Sequence, residues 1–149
     1  MRAPFSGVTL STASGRRPPG GAATASHRTA LAALATELLA PSLVDADLLA
    51  QATTTVYPGL PGVVPGFGRQ RHCDWGLGFE VRSDKSPHWT GSQNSLETFG
   101  HFGRSGSFLW VDPAAGIACV ELAGQEFEAW AKAAWPRHSD DVLTAYARA

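Results

Sequence analysis

The apolar residues of this 149-residue chain change period partway along it. Leu31, Leu34, Ala35, Leu38 and Leu39 recur at the spacing of one helix face, whereas from Trp75 onward apolar residues alternate with small or polar ones. A stripe of period 3.6 belongs to a helix and one of period 2 to a strand, so helices come first and strands follow. A second helical stripe near the end completes the pattern. The expectation is an α+β fold of the α/β-sandwich type, an antiparallel sheet of three to four strands flanked by amino- and carboxy-terminal helices.

The elements can be placed more closely. Ser26 is a candidate N-cap for the first helix, and Pro41 stops it. A short second helix follows Asp45, with Leu48, Leu49 and Ala52 inward. Tyr57 to Gly68 holds Pro58, Pro61, Pro65 and four glycines, the composition of a long, conformationally restricted loop. Trp75, Leu77, Phe79 and Val81 alternate with Gly76, Gly78 and Glu80, which predicts a strand with one packed face. Residues 82 to 98 read as a polar connection, and a strand runs from Phe99 to about Arg104. Ser107 to Val111 is apolar on both faces and should be central. Asp112-Pro113-Ala114-Ala115-Gly116 is a hairpin turn, from which Ile117 to Leu122 returns antiparallel. Phe127, Trp130, Ala131, Ala134 and Trp135 form the closing helical stripe. Pro136 should interrupt it, with Ser139 capping a new start that Val142, Ala145 and Tyr146 continue. Residues 1–26 lack periodicity and predict a disordered leader, so the folded domain should span 27–149.

Composition excludes several function classes. A formal net charge of −1 and scattered basic residues give no stripe for nucleic acid. No run approaches the roughly 20 apolar residues of a membrane span. After Arg16-Arg17 comes Pro18-Pro19-Gly20-Gly21 where an export signal needs an apolar region. Cys73 and Cys119 are too few for a disulfide framework, which makes a reduced cytoplasmic protein the default expectation. His72, Cys73 and Asp74 are adjacent and cannot all face one ion, so no metal or other cofactor is expected. The abundant Ala and Gly suit a high-GC bacterial gene.

One segment carries chemistry. Gly100-His101-Phe102-Gly103-Arg104-Ser105-Gly106 leads into a strand and an Asp112-Pro113 hairpin, and Asp74-Trp75-Gly76-Leu77-Gly78-Phe79 stands upstream. This ordered set resembles the third active-site motif, Lys-Thr-Gly or His-x-Gly, of serine β-lactamases, penicillin-binding proteins and their esterase relatives, the class C β-lactamases among them. The resemblance covers roughly residues 28 to 147 and implies an incomplete β-lactamase/transpeptidase-like fold. It implies that the Arg104 backbone N–H joins an oxyanion hole, a donor of the kind that contributes about 2.7–4 kcal/mol in the transition state. Gly103 would let substrate approach the backbone, and His101 would replace Lys as donor near the catalytic hydroxyls. Phe102 stands where many members have Thr, which favours a neutral or apolar ester or amide over an anionic β-lactam.

The same resemblance requires a Ser-x-x-Lys and a Tyr-x-Asn. The only lysines, Lys85 and Lys132, have Arg82 and Ala129 three residues before them, and neither Tyr57 nor Tyr146 begins a Tyr-x-Asn. The chain therefore reads as part of a serine hydrolase that acts through an acyl-enzyme on an ester, amide or β-lactam, and as inactive alone. The alternative is a non-catalytic remnant that binds through the His-x-Gly strand. His88 and Trp89 either line a substrate loop or form a turn packed on the sheet. Strands that the family places before this region are lacking, so an uncovered sheet edge should favour self-association.

Overall fold

The computed structural model describes residues 7–11 and 21–146, with side-chain surroundings from residue 27 onward. In chain order the elements are β1 (Gly7–Ser11), α1 (Gly21–Leu39), α2 (Ala46–Thr53), β2 (Gly62–Val64), β3 (Gly68–Gln70), β4 (Glu80–Val81), β5 (Phe99–Phe102), β6 (Phe108–Asp112), β7 (Ile117–Glu121) and α3 (Ala129–Tyr146). The main sheet has the order β1-β7-β6-β5-β4. Strands β4 to β7 are antiparallel neighbours, as the alternating pattern predicts, and β1 adds to β7 in parallel. The fold is α+β.

Alternation along β6 and β7 feeds two separate cores. Phe108, Trp110, Ile117 and Cys119 face α3 and pack with Trp89, Trp135, Val142 and Leu143. Val111, Ala118 and Val120 face the other way, against Ala35, Leu38 and Phe99. Burial on both sides explains why β7 reads as the unbroken run Ile117-Ala118-Cys119-Val120 and why all five of its residues are buried. The central position expected for Ser107–Val111 is confirmed by β6, which lies between β7 and β5. Its hairpin turn is fixed by Asp112, whose Oδ1 accepts from the Ala115 N–H at 3.1 Å.

Several expectations need correction. Residues 7–11, inside the expected leader, form β1; the rest of 1–20 lies outside the described residues. A strand pairing supplied by β7 overrides a local composition that has no periodicity of its own. That pairing also covers the outer edge of β7. Helix α1 begins at Gly21, so Ser26 lies within it, and Leu34 remains exposed beside the buried Ala35 and Leu38. Leu48 of α2 is likewise exposed. The proline-rich loop contains the small hairpin β2–β3. Pro136 lies inside one continuous α3, and Ser139 is buried, where its Oγ accepts from the Trp110 indole N–H at 3.1 Å.

The longest expected strand shrinks most. Only Glu80–Val81 is strand, and residues 75–79 close a tight loop on the end of α2. There the N–H groups of Leu77, Gly78 and Phe79 donate to the Gln51 and Ala52 carbonyls at 3.1–3.2 Å. These are the carbonyls that a helix end leaves unpaired. A Cβ on Gly76 would come within 2.1 Å of the Ala52 oxygen, so glycine is required by that close approach. Trp75 and Leu77 are correspondingly exposed rather than packed.

Trp135 has no exposed surface and packs edge-on against Phe108 and Phe102 with ring centroids 5.1 and 5.4 Å away. Trp135→Ala should cost about 3–5 kcal/mol of stability by deleting this contact and leaving a cavity, which urea denaturation of both proteins would measure.

Candidate active site

The His-x-Gly triplet lies on β5 and the turn that follows it. His101 is exposed on the α1 face, opposite Leu109 of β6, with Trp75 at a ring-centroid distance of 5.5 Å in an edge-on contact. Strand β4 pairs only with Phe99 and Gly100. Among the described residues, the outer side of β5 at His101 and Phe102 therefore has no paired strand. Residues 103–106 form a turn in which the Gly103 N–H donates to the Ser107 carbonyl at 2.9 Å and the Gly106 N–H to the Gly103 carbonyl at 3.0 Å. The Arg104 carbonyl accepts from the Phe127 N–H at 2.9 Å, which ties this turn to the approach to α3. The Arg104 guanidinium is exposed, 3.5 Å from Glu126, a surface pair of small energetic weight.

Two glycines of the segment differ in cause. A Cβ on Gly100 would fall 2.2 Å from the Leu109 carbonyl oxygen, so the neighbouring strand forbids a side chain there. A Cβ on Gly103 would meet nothing closer than Ser105 Oγ at 3.5 Å, an ordinary contact. The chain's own packing demands glycine at the first position and not at the second.

Phe102 differs from its expected role as a substrate contact. Its ring turns to the α3 face and packs with Phe67, Phe127 and Trp135, because neighbouring residues of a strand point to opposite faces. Trp89 is also core rather than a substrate surface, 1% exposed and donating its indole N–H to Glu80 Oε2 at 2.9 Å. His88 is buried beside it.

These last two belong to a network that the sequence reading missed. Glu80, Lys85, His88 and Thr90 are all buried. The Thr90 N–H donates to His88 Nδ1 at 3.2 Å, which makes Nδ1 the acceptor and leaves Nε2–H to donate to Glu80 Oε1 at 3.2 Å. Burial pulls the His88 pKa below 6.5 and Glu80 only partly opposes this, so the imidazole is neutral. Burial would raise the Glu80 carboxyl, but the His88 and Trp89 hydrogen bonds and the Lys85 charge outweigh it and hold it below 4.5. Lys85 Nζ lies 3.6 Å from Glu80 Oε1 and donates to the Asp74 carbonyl at 2.9 Å and to the Val81 carbonyl. The only available signal was Glu80 within the alternating run 75–81. Its place among glycines suggested solvent, because a sheet covered on both faces cannot be inferred from one strand. Cys119 is buried too, its thiol pushed up to about 12 by burial and by Glu121, in keeping with an unreactive core cysteine.

The network pins the 82–98 connection together with other side chains. Gln70 Nε2 donates to the Pro87 carbonyl at 3.0 Å, and Asp112 accepts from the Ser95 N–H at 2.8 Å and from Ser95 Oγ at 2.7 Å. Loop and sheet together hold the exposed His101 strand in place.

A mixed sheet enclosed between helices, with His101 on a strand that its outer neighbour covers only in part, is the architecture of a β-lactamase-like chain. The crystal structure of a β-lactamase from Mycobacterium bovis matches it with a TM-score of 0.78 and 56% sequence identity, over 80% of this chain and 44% of that one. The chain is related to that β-lactamase, shares its fold over the matched part, and spans less than half of its length. No protein-family model and no curated protein matches the chain. Among the described residues, no helix is long and apolar enough to cross a membrane.

Replacing Glu80 by Gln should cost about 3–5 kcal/mol by leaving the Lys85 ammonium buried and unpaired. The double variant Glu80→Gln/Lys85→Met should recover most of it, as guanidinium denaturation of the three proteins would show. Acid should also destabilise the fold. The unfolded chain takes up the His88 proton more readily than the folded one, so stability falls below the ordinary value of 6.5, and Glu80 adds to the loss as pH falls through its lowered pKa. His88→Gln keeps a donor toward Glu80 and should flatten the decline between about pH 7 and about pH 5, measured by thermal melts across that range.

Proposed function

We propose that this chain supplies the His-x-Gly strand of a serine hydrolase of the β-lactamase-like kind, one that hydrolyses an ester, amide or β-lactam through an acyl-enzyme. The observation that carries the reading is that His101 stands where β5 has no paired strand and Gly103 opens the turn that follows it. Gly103 is not demanded by packing, which is what close approach of a substrate carbonyl from outside would require. In this reading the Arg104 backbone N–H is one oxyanion donor, and His101 donates to the substrate or to the catalytic hydroxyls. The nucleophile and its activating lysine come from sequence other than these 149 residues, since no Ser-x-x-Lys is present. Without the nucleophile, a triad enzyme retains at most about 10³–10⁴ over the uncatalysed rate. The Phe102 ring, turned away from His101, leaves no hydroxyl of the kind that would hold a β-lactam carboxylate, and a neutral or apolar ester or amide is the favoured substrate.

The test is hydrolysis of a nitrophenyl ester and of a chromogenic β-lactam by this chain and by one extended at its amino end with the corresponding part of the M. bovis β-lactamase. The extended chain should turn over the ester faster than the lactam, and this chain should turn over neither appreciably. In the extended chain His101→Ala should lower kcat about 10–100-fold, the loss of one charge-assisted hydrogen bond. An extended, folded chain that is inactive, or one indifferent to His101→Ala, would refute the reading.

A further inference from the structure

Five large apolar side chains stand exposed on segments that are tied to one another. Leu48 of α2, Tyr57, Leu60, Trp75 and Leu77 are each at least 41% exposed. Backbone hydrogen bonds set their segments side by side. The Leu77 N–H donates to the Gln51 carbonyl of α2 at 3.1 Å, and the N–H of Val56, beside Tyr57, donates to the Trp75 carbonyl at 3.0 Å. The Cys73 N–H donates to the Leu60 carbonyl at 2.7 Å. Trp75 also reaches the His-x-Gly strand, its ring edge-on to His101. Exposed apolar residues scattered singly need no explanation, whereas a gathered group marks a contact surface.

The distribution of charge points the same way. From Leu48 to Gly68, and again from Trp75 to Phe79, the sequence has no Asp, Glu, Lys, Arg or His. The centre of a protein interface is depleted in charged residues relative to the rest of the surface. The loop of residues 75–79 is fixed on the end of α2, so Trp75 and Leu77 are presented on an ordered backbone and docking costs little further ordering.

The M. bovis β-lactamase supplies the occupant. Only 44% of it is matched by this chain, so more than half of that protein packs outside the matched part. Here the sheet is already covered by α3 on one face and by α1 on the other. The uncharged face beside His101 is the apolar surface that such additional chain would bury. We propose that this face docks the part of a β-lactamase chain that the match does not cover, with Trp75 and Leu77 at the centre of the contact. The choice of partner rests on the hydrolase reading, and docking is read without turnover.

The test mixes this chain with the remainder of the M. bovis β-lactamase, the part outside the matched 44%, produced as a separate polypeptide. Calorimetry and light scattering should show a one-to-one complex. Leu77→Asp and Trp75→Ser should each weaken it about tenfold or more, as expected for residues at the centre of an interface. Tyr146→Ser, at the end of α3, should leave it unchanged. Leu77→Asp should not shift the melting of this chain alone, because the side chain is exposed. In the extended chain the same substitution should lower the melting temperature by at least about 2 °C, a readout that supports the docking even if the separate pieces stay apart. A complex that hydrolyses nothing would support the docking and refute the hydrolase reading. Conversely, an extended chain that hydrolyses the ester and is indifferent to Leu77→Asp, with pieces that do not associate, would overturn the docking alone. Association insensitive to both substitutions, or self-pairing of this chain that Leu77→Asp abolishes, would overturn it equally.

Discussion

Trp110 stands at the middle of the central strand with no exposed surface, and its surroundings account for the organisation of the molecule. Its ring faces α3, where its indole N–H donates to Ser139, and its strand neighbours Leu109 and Val111 face α1. The sheet is wetted on neither side at this point, so each strand residue belongs to one of two cores. Helix α3 must then run close over β6, which is why a serine and not a larger residue lies beneath the indole. It is also why Pro136 is tolerated inside the helix: with Trp135 and Val142 committed to the core on either side of it, packing holds the two halves in one line.

On the neighbouring edge the chain relies on polar groups instead. The 82–98 connection contributes little apolar surface beyond Trp89, and it is ordered by buried hydrogen bonds from Glu80, Gln70 and Asp112. Glu80 is central because it satisfies an imidazole, an indole and an ammonium with two oxygens. Such a network is stabilising only while complete, since any member left alone is a buried polar group without a partner. The rigidity of the strand bearing His101 follows from this loop as much as from the sheet.

Much of this was legible in the residues. The double-sided run at β6 and β7, the Asp112 turn and the Trp-bearing closing helix all follow from periodicity, because burial on two faces leaves few other arrangements. The segment 75–79 did not, since its alternation comes from glycines that serve the end of α2, a helix distant in sequence. The placement of His101 at an exposed strand position was legible from the resemblance, whereas the inward turn of Phe102 and the burial of His88 and Trp89 depend on how far α3 reaches across the sheet. The Glu80 and Lys85 pair was hidden for a related reason: charged residues in a loop-like composition look solvated until another layer covers them.

The incomplete cover that β4 gives β5 has a further consequence. A fully open edge strand invites another chain to add to it and is an aggregation hazard. Here only His101 and Phe102 lie beyond the reach of β4, and a left-handed Gly106 turns the backbone away soon after. Two residues offer too short a ladder to template a foreign strand. The shortness of that exposed stretch is itself what keeps the sheet from growing sideways there.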